Sequence, residues 1–233
     1  MSTTCILEQS GKGLIIMKAF YNRSEAGKQL AAQLAIYNGR TDVLVLALPR
    51  GGVPVAFEIA QALHVPLDVV IVRKLGVPRY KELAMGAIAT GGIQILNQNM
   101  IATLGISQKE INNVVAYEQQ ELELRERLYR GNRPAYDIYG RIVILADDGI
   151  ATGATMQAAV TTIKQQQPAR VIIAVPVATA TTCQMFAAQG NEVVCVLKPE
   201  EFYAISLWYE HFSQTSDKEV HDLLTYASHE QPT

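Results

Sequence analysis

Charge is scarce in this chain. Asp, Glu, Lys and Arg make up 18% of its 233 residues, and the formal net charge is −2. Balance of that kind argues against a nucleic-acid surface, because neutralising phosphates supplies most of that affinity. No apolar run reaches the roughly 18 residues that cross a bilayer, so no membrane partner is expected. Cysteine is sparse too: Cys5, Cys183 and Cys195 are odd in number and lack metal-site spacing. Cys183 and Cys195 fall in helical and strand patterns, so buried thiols in a reducing cytoplasm are expected. Residues 1–13 lack a basic start followed by an apolar core, so no secretory signal is read. His64, His211, His221 and His229 form no close pair and read as surface or packing residues. Neither G-x-x-x-x-G-K-[ST] nor G-x-G-x-x-G occurs, so neither nucleotide hydrolysis nor dinucleotide binding is indicated.

Apolar residues are plentiful, at 49%, enough for one sizeable core. Nearly continuous apolar runs at Val43–Leu48, Leu67–Val72, Ile142–Ala146, Val171–Val175 and Glu192–Leu197 read as parallel strands buried on both faces. Helical patterns lie between them at Glu25–Tyr37, Val53–Leu63, Met156–Gln167 and Thr181–Gln189. The alternation predicts an α/β fold with a doubly wound, mostly parallel sheet, in a single domain over 1–233. Three segments stand outside it. Leu75–Gly92 is long and broken by Gly76, Pro78 and Gly91-Gly92. Ser107–Arg130 is a charged helix opened by the capping box Ser107-Gln108-Lys109-Glu110, with Ile111, Val114, Val115, Leu122 and Leu128 expected inward. Lys198–Thr233 is aromatic at first and ends in a helix near Ser216-Asp217-Lys218-Glu219.

The most informative stretch runs from Val143 to Thr155. An apolar strand ends in adjacent carboxylates, Asp147 and Asp148, followed by Gly149-Ile150-Ala151-Thr152-Gly153-Ala154-Thr155 and then a helix. Ligands of open α/β sheets bind outside the carboxyl ends of the strands. There a helix N-terminus offers unpaired N–H groups to an anion. Gly149 and Gly153 permit close backbone approach, and Thr152 and Thr155 add hydroxyl donors, so the loop suits a phosphate monoester. Ionised Asp accepts two O–H donors, so the acidic pair suits a neighbouring diol. Phosphate plus vicinal diol describes a ribose 5-phosphate. A mere Asx-type cap needs only one Asp and no hydroxyl-rich loop. Phosphatases of the haloacid-dehalogenase type place their acids two residues apart, not adjacent.

A second strand, Val43–Leu48, is followed by Pro49-Arg50-Gly51-Gly52 and a helix, opening on the same sheet edge. Gly51 and Gly52 can expose N–H groups, and Arg50 supplies fixed charge. A tight βα turn would use the same residues, but two anion sites on one crevice fit a substrate phosphorylated at both ends. Arg73 and Lys74 close the next run.

The Asp147–Thr155 stretch resembles the phosphoribosyl-pyrophosphate (PRPP) motif of the type I phosphoribosyltransferases. Leu48–Ala56, Val72–Gly76 and Asp147–Thr155 occur in the order found in a group of bacterial members whose acceptor is unassigned. The resemblance covers about Phe20 to Leu224. It implies that Gly149–Thr155 holds the 5-phosphate, that Asp147 and Asp148 hold the ribose hydroxyls, and that Arg50, Gly51 and Gly52 hold pyrophosphate. It further implies that Arg73 and Lys74 contact pyrophosphate and that Leu75–Gly92 is a flexible catalytic loop with Arg79, Tyr80 and Lys81 at its tip. The core is then about 20–197, with a hood over the acceptor built from about 1–22 and 198–233, where Phe202 and Trp208 could stack on a base or simply pack. A homodimer is implied as well. The 6-oxopurine enzymes carry Asp where this chain has Ala151, and the adenine enzymes carry Ala.

The expected chemistry is displacement at the ribose C1 with pyrophosphate leaving, through an oxocarbenium-like state. Mg²⁺ is expected with the phosphate oxygens, held by Asp147 and Asp148 directly or through water. The alternative is a non-catalytic PRPP sensor on the same fold. Arg73-Lys74 and the lid-like segment favour the enzyme.

Overall fold

The computed structural model describes residues 19–229, preceded by the backbone of two short strands, β1 (Glu8–Gln9) and β2 (Leu14–Ile15). Cys5 and most of the expected 1–22 hood segment lie outside the described residues.

Five strands form the central sheet: β3 (Val43–Ala47), β4 (Leu67–Val69), β8 (Ile142–Ala146), β9 (Arg170–Val177) and β10 (Glu192–Leu197). Every pairing among them is parallel, in the order β10-β9-β8-β3-β4. Both faces are covered, which is why these strands are apolar almost throughout. One face, with Val43, Val45, Ile144 and Ile172, packs under α1 (Arg23–Gln33), α2 (Gly52–Leu63), α4 (Gln108–Arg130) and α7 (Asp217–His229). The other, with Leu44, Val143, Leu145 and Ile173, packs under α5 (Ala154–Gln165) and α6 (Ala180–Ala188).

Winding runs from β3 to β4 in one direction and from β8 through β10 in the other. The reversal falls between β3 and β8, whose ends lie side by side through Ala47 and Ala146. Loops leaving neighbouring strands there diverge to opposite faces and open a crevice. The two anion loops read from the sequence leave these two strands.

Three expectations are corrected. Leu67–Val72 is not one strand. Val70 still donates to the Ala47 carbonyl, but the Ile71 N–H goes to the Thr90 hydroxyl. There the chain passes to a second, antiparallel sheet of β5 (Val72–Val77), β6 (Tyr80–Ala89) and β7 (Ile93–Leu96). Leu75–Gly92 is therefore a paired hairpin and not an irregular loop. Register shifts on both sides of Gly76 break the period-2 pattern that would have revealed a strand. Finally, Leu128 is exposed and Tyr129 is buried in its place. Tyr129 lies five whole helical turns from buried Ile111, whereas Leu128 is about 100° out of phase. The Ser107 capping box forms as expected, and short α3 (Gln98–Leu104) precedes it.

Candidate functional site

At the reversal point Asp147 and Asp148 follow β8 directly, and the Asp148 N–H donates to Asp147 Oδ1 at 2.9 Å. Asp148 is buried, at 8% exposure. Burial pushes the Asp147 carboxyl well above the ordinary carboxylate range, and the charge of Asp148 adds to this. Burial also raises Asp148, against the opposing pull of Arg23. Arg23 Nε donates to Asp148 Oδ2 at 2.8 Å. The Tyr209 hydroxyl donates to the Asp148 carbonyl at 2.6 Å, and burial followed by the Asp148 charge raises that phenol.

The glycine pair lies directly against these acids. A Cβ on Gly51 would come 2.1 Å from Asp148 Oδ2, and one on Gly52 would come 2.7 Å from the Ala146 carbonyl. Gly51 and Gly52 are thus dictated by space, since φ at Gly51 is an ordinary −60°. The Pro49–Arg50 peptide is cis. On the other loop Gly153 sits at φ 77°, a left-handed conformation that suits glycine, and precedes α5. Ala151, Thr152, Ala154 and Thr155 are exposed beside it, while Ile150 is buried and its N–H is held by the Val177 carbonyl. A Cβ on Gly149 would meet Ile205 at 2.9 Å, so the C-terminal segment closes one side of the loop.

Helix starts separate these two loops from the rest. Helices α1, α3, α4 and α6 open on Asn22, Asn97, Ser107 and Thr179, each of which accepts a backbone N–H from the first turn. At α7 the Ser216 hydroxyl takes the Glu219 N–H. Only α2 and α5, among the described helices, start on glycine without a side-chain cap. At α5 these first-turn donors are left for a ligand or water. At α2 the Gly52 N–H goes instead to the Leu48 carbonyl at 3.0 Å and the Val53 N–H to the Arg50 carbonyl at 3.1 Å, so the expected exposure of the Gly52 amide is corrected.

The cations assigned to pyrophosphate are engaged elsewhere. Arg50 lies 3.9 Å from Asp217 at the start of α7. Asp217 also accepts from the Tyr129 hydroxyl, whose pKa burial and this bond push up to about 12. Arg73 and Lys74 are inside β5 rather than at the end of a core strand, so they project to opposite faces. Arg73 pairs with Glu118 of α4 at 2.6 Å, and exposed Lys74 reaches the Glu82 carbonyl at 3.3 Å. Arg79 and Tyr80 are exposed at the β5–β6 turn; Lys81 follows in β6, its side chain outside the described residues. Trp208 is 4% exposed, packed with Phe20 and Tyr209, and half-buried Phe202 packs on the same cluster, so packing is the role the structure gives both. Cys183 and Cys195 are buried free thiols, and burial followed by the neighbouring Cys183 pushes Cys195 up to about 12.

Arg23 and Tyr209 escaped the sequence reading. One signal existed for Arg23: it is the first residue of α1, where a cation opposes the helix dipole and so implies a tertiary partner.

No group of three or more His, Cys, Asp or Glu residues among those described could hold a metal alone. Two adjacent carboxylates do suit Mg²⁺, which takes one or two protein oxygens and completes its shell with water and substrate phosphates.

A pH effect follows from the acidic pair. Its folded-state pKa values lie above the unfolded ones, so its favourable contribution is full in acid and is lost as pH rises through them. Asp147→Asn, measured in chelator, should therefore melt about 3 °C above the parent at pH 7. The gap should close toward about pH 4. Thermal melts across that range check it, and a gap that widens in acid refutes it.

Comparison with known proteins shows the family. A family model for the phosphoribosyl transferase domain matches residues 18–196. Two Mycobacterium tuberculosis sequences, from strains CDC 1551 and H37Rv and assigned by name alone to the phosphoribosyl transferases, are each 44% identical over 204 residues, 88% of this chain. The match spans 46% of their length, about half of these curated relatives. The crystal structure of TT1426 from Thermus thermophilus superposes with a TM-score of 0.78 at 39% identity, covering 89% of this chain and 98% of that one.

Proposed function

Because the chain belongs to the type I phosphoribosyltransferase family, we propose that it binds PRPP with Mg²⁺ and transfers phosphoribose to a small-molecule acceptor, releasing pyrophosphate. One observation carries this reading: the uncapped start of α5 opens at the reversal point beside Asp147 and Asp148, and the Gly51-Gly52 turn packs directly against the same acids. An anion-ready helix terminus beside a paired acceptor of hydroxyls matches a ribose 5-phosphate, and the glycine turn with Arg50 supplies the contact for a second phosphate group.

The residues divide the work. The first turn of α5, with Thr152 and Thr155, takes the 5-phosphate. Asp147 and Asp148 accept the ribose hydroxyls, and the Gly51 amide takes the pyrophosphate as its charge develops, with Gly52 giving it close approach to the strand end. The bond from the acceptor nucleophile to C1 forms as the C1–O bond breaks, and its electron pair departs with pyrophosphate. Arg50, Arg73 and Lys74 add charge stabilisation once pyrophosphate displaces their present carboxylate partners. Mg²⁺, when bound by Asp147 and Asp148 directly or through water, neutralises phosphate oxygens. The β5–β6 hairpin tip, with Arg79, closes over the site and excludes water. Ala151 offers no general base, which disfavours hypoxanthine or guanine and favours an acceptor whose nucleophile needs none there. A cytoplasmic homodimer is the assembly proposed.

The test is incubation with PRPP and Mg²⁺ against a panel of bases and small amines, following pyrophosphate and ribosyl products by mass. Turnover with one acceptor is expected, and Asp148→Asn should lower it about 100-fold or more, as removal of a preorganised polar contact does. PRPP binding without product from any acceptor would shift the reading to a sensor, and failure to bind PRPP would end both.

A further inference from the structure

Asp148 is held by two segments that the fold brings together from opposite ends of the described chain. Phe20 and Tyr209 form a parallel bridge, reinforced by the Phe20 N–H to the Trp208 carbonyl at 3.1 Å and the Glu210 N–H to the Phe20 carbonyl at 2.8 Å. From the N-terminal side, Arg23 uses each arm of its guanidinium separately. Nε donates to Asp148 Oδ2 at 2.8 Å, and NH1 donates to the Ser213 carbonyl at 2.7 Å. Its plane lies over the Phe212 ring, 3.8 Å from the centroid. From the C-terminal side, Tyr209 holds the Asp148 carbonyl, and its ring lies 5.4 Å from Phe20 and 5.0 Å from Phe212 between centroids. Both Arg23 and Asp148 side chains are only 11% exposed.

A rigid planar fork with three fixed contacts leaves the carboxylate it holds little freedom. A cation needed only to balance charge would not require the carbonyl and the ring as well. We infer that Arg23 is a positioning residue that aims the Asp148 carboxylate at the vicinal diol, and that this bracket sets the protein's preference for ribose over 2-deoxyribose phosphates. The inference rests on the ribose-phosphate reading of the acidic pair. It assigns sugar selectivity to the junction between the core and its C-terminal segment, beyond the two acids themselves.

A purely structural Arg23 would weaken all ligands alike, whereas a positioning Arg23 acts only where the hydroxyls are read. The experiment is calorimetric titration of the full chain with ribose 5-phosphate, 2-deoxyribose 5-phosphate and inorganic phosphate. The parent should prefer ribose 5-phosphate by about tenfold or more, the worth of a hydrogen bond to a charged group. Arg23→Met should reduce that ratio to within about threefold, with inorganic phosphate binding unchanged. Arg23→Lys, which keeps the charge without the fork, should fall between. An undiminished ratio in Arg23→Met overturns the inference. Should that variant not fold, Arg23→Lys and Phe212→Leu each remove part of the bracket, and a full ratio in both overturns it equally. A parent that binds inorganic phosphate but neither sugar phosphate overturns the ribose-phosphate reading itself, a distinct outcome.

Discussion

Gly52→Ala is expected to lower turnover at least about 100-fold while leaving a folded protein, because misplacing a bound group by about an ångström costs that much. Helix propensity alone would favour the change, since alanine in a helix is better than glycine by about 1 kcal/mol. Space decides otherwise. The added Cβ would sit 2.7 Å from the Ala146 carbonyl and 2.9 Å from the Asp147 Cα, both backbone atoms at the end of a central strand. Neither can swing aside, so the Arg50-Gly51-Gly52 turn must lift away from the acidic pair. Overpacking of this kind costs about 1–3 kcal/mol of stability. Gly51→Ala differs in an informative way. Its Cβ meets the Asp148 carboxylate, a side-chain end that moves only by giving up its bond from Arg23. This variant should lose activity with Asp148 displaced, yet keep more stability than Gly52→Ala, because no backbone has to shift. Steady-state kinetics with melting curves separate the two, and a Gly52→Ala protein of parental turnover would contradict this account of the loop.

Arg130→Met is expected to cost about 3–5 kcal/mol, the usual result of leaving one member of a buried ion pair alone. Arg130 and Asp68 are each 6% exposed and bonded at 2.7 Å. Arg130 also donates to the Val69 carbonyl and, at 3.1 Å, to Glu126. Asp68 in turn receives the Val69 N–H at 2.8 Å. The pair ties the end of α4 to edge strand β4, just before the chain crosses to the second sheet. With Arg130 gone, Asp68 stays buried beside apolar neighbours. At about 2–4 °C per kcal/mol for a chain of this size, the melting temperature should fall by about 10 °C. Arg130→Met combined with Asp68→Leu should recover most of that loss, because a well-packed apolar pair often equals a buried ion pair. Denaturant melts of the single and double variants give the comparison. A single variant as stable as the double would show that the pair contributes nothing specific.

The central sheet was legible because burial on both faces leaves continuous apolar runs at β3, β8, β9 and β10. The capped start of α4 was legible because Ser107 and Glu110 satisfy each other locally. The second sheet was not. Its hairpin is bulged at Gly76, and β6 is rich in small residues, so neither alternation nor β-branched content marks it. The Arg73-Lys74 pair reads as one cationic site along the chain, yet a strand sends adjacent side chains to opposite faces.

The sequence by itself determined the two glycine loops, the adjacent acids and the helices that follow, because phosphate and diol recognition depends on residue types only a few positions apart. Only the tertiary structure decided what stands around them. Arg23 lies 125 residues from Asp148, and Arg50, Arg73 and Lys74 each have an acidic neighbour that no short-range pattern announces. Local chemistry writes the anion loops into the chain, whereas the partner of a buried charge is chosen by the packing of distant segments.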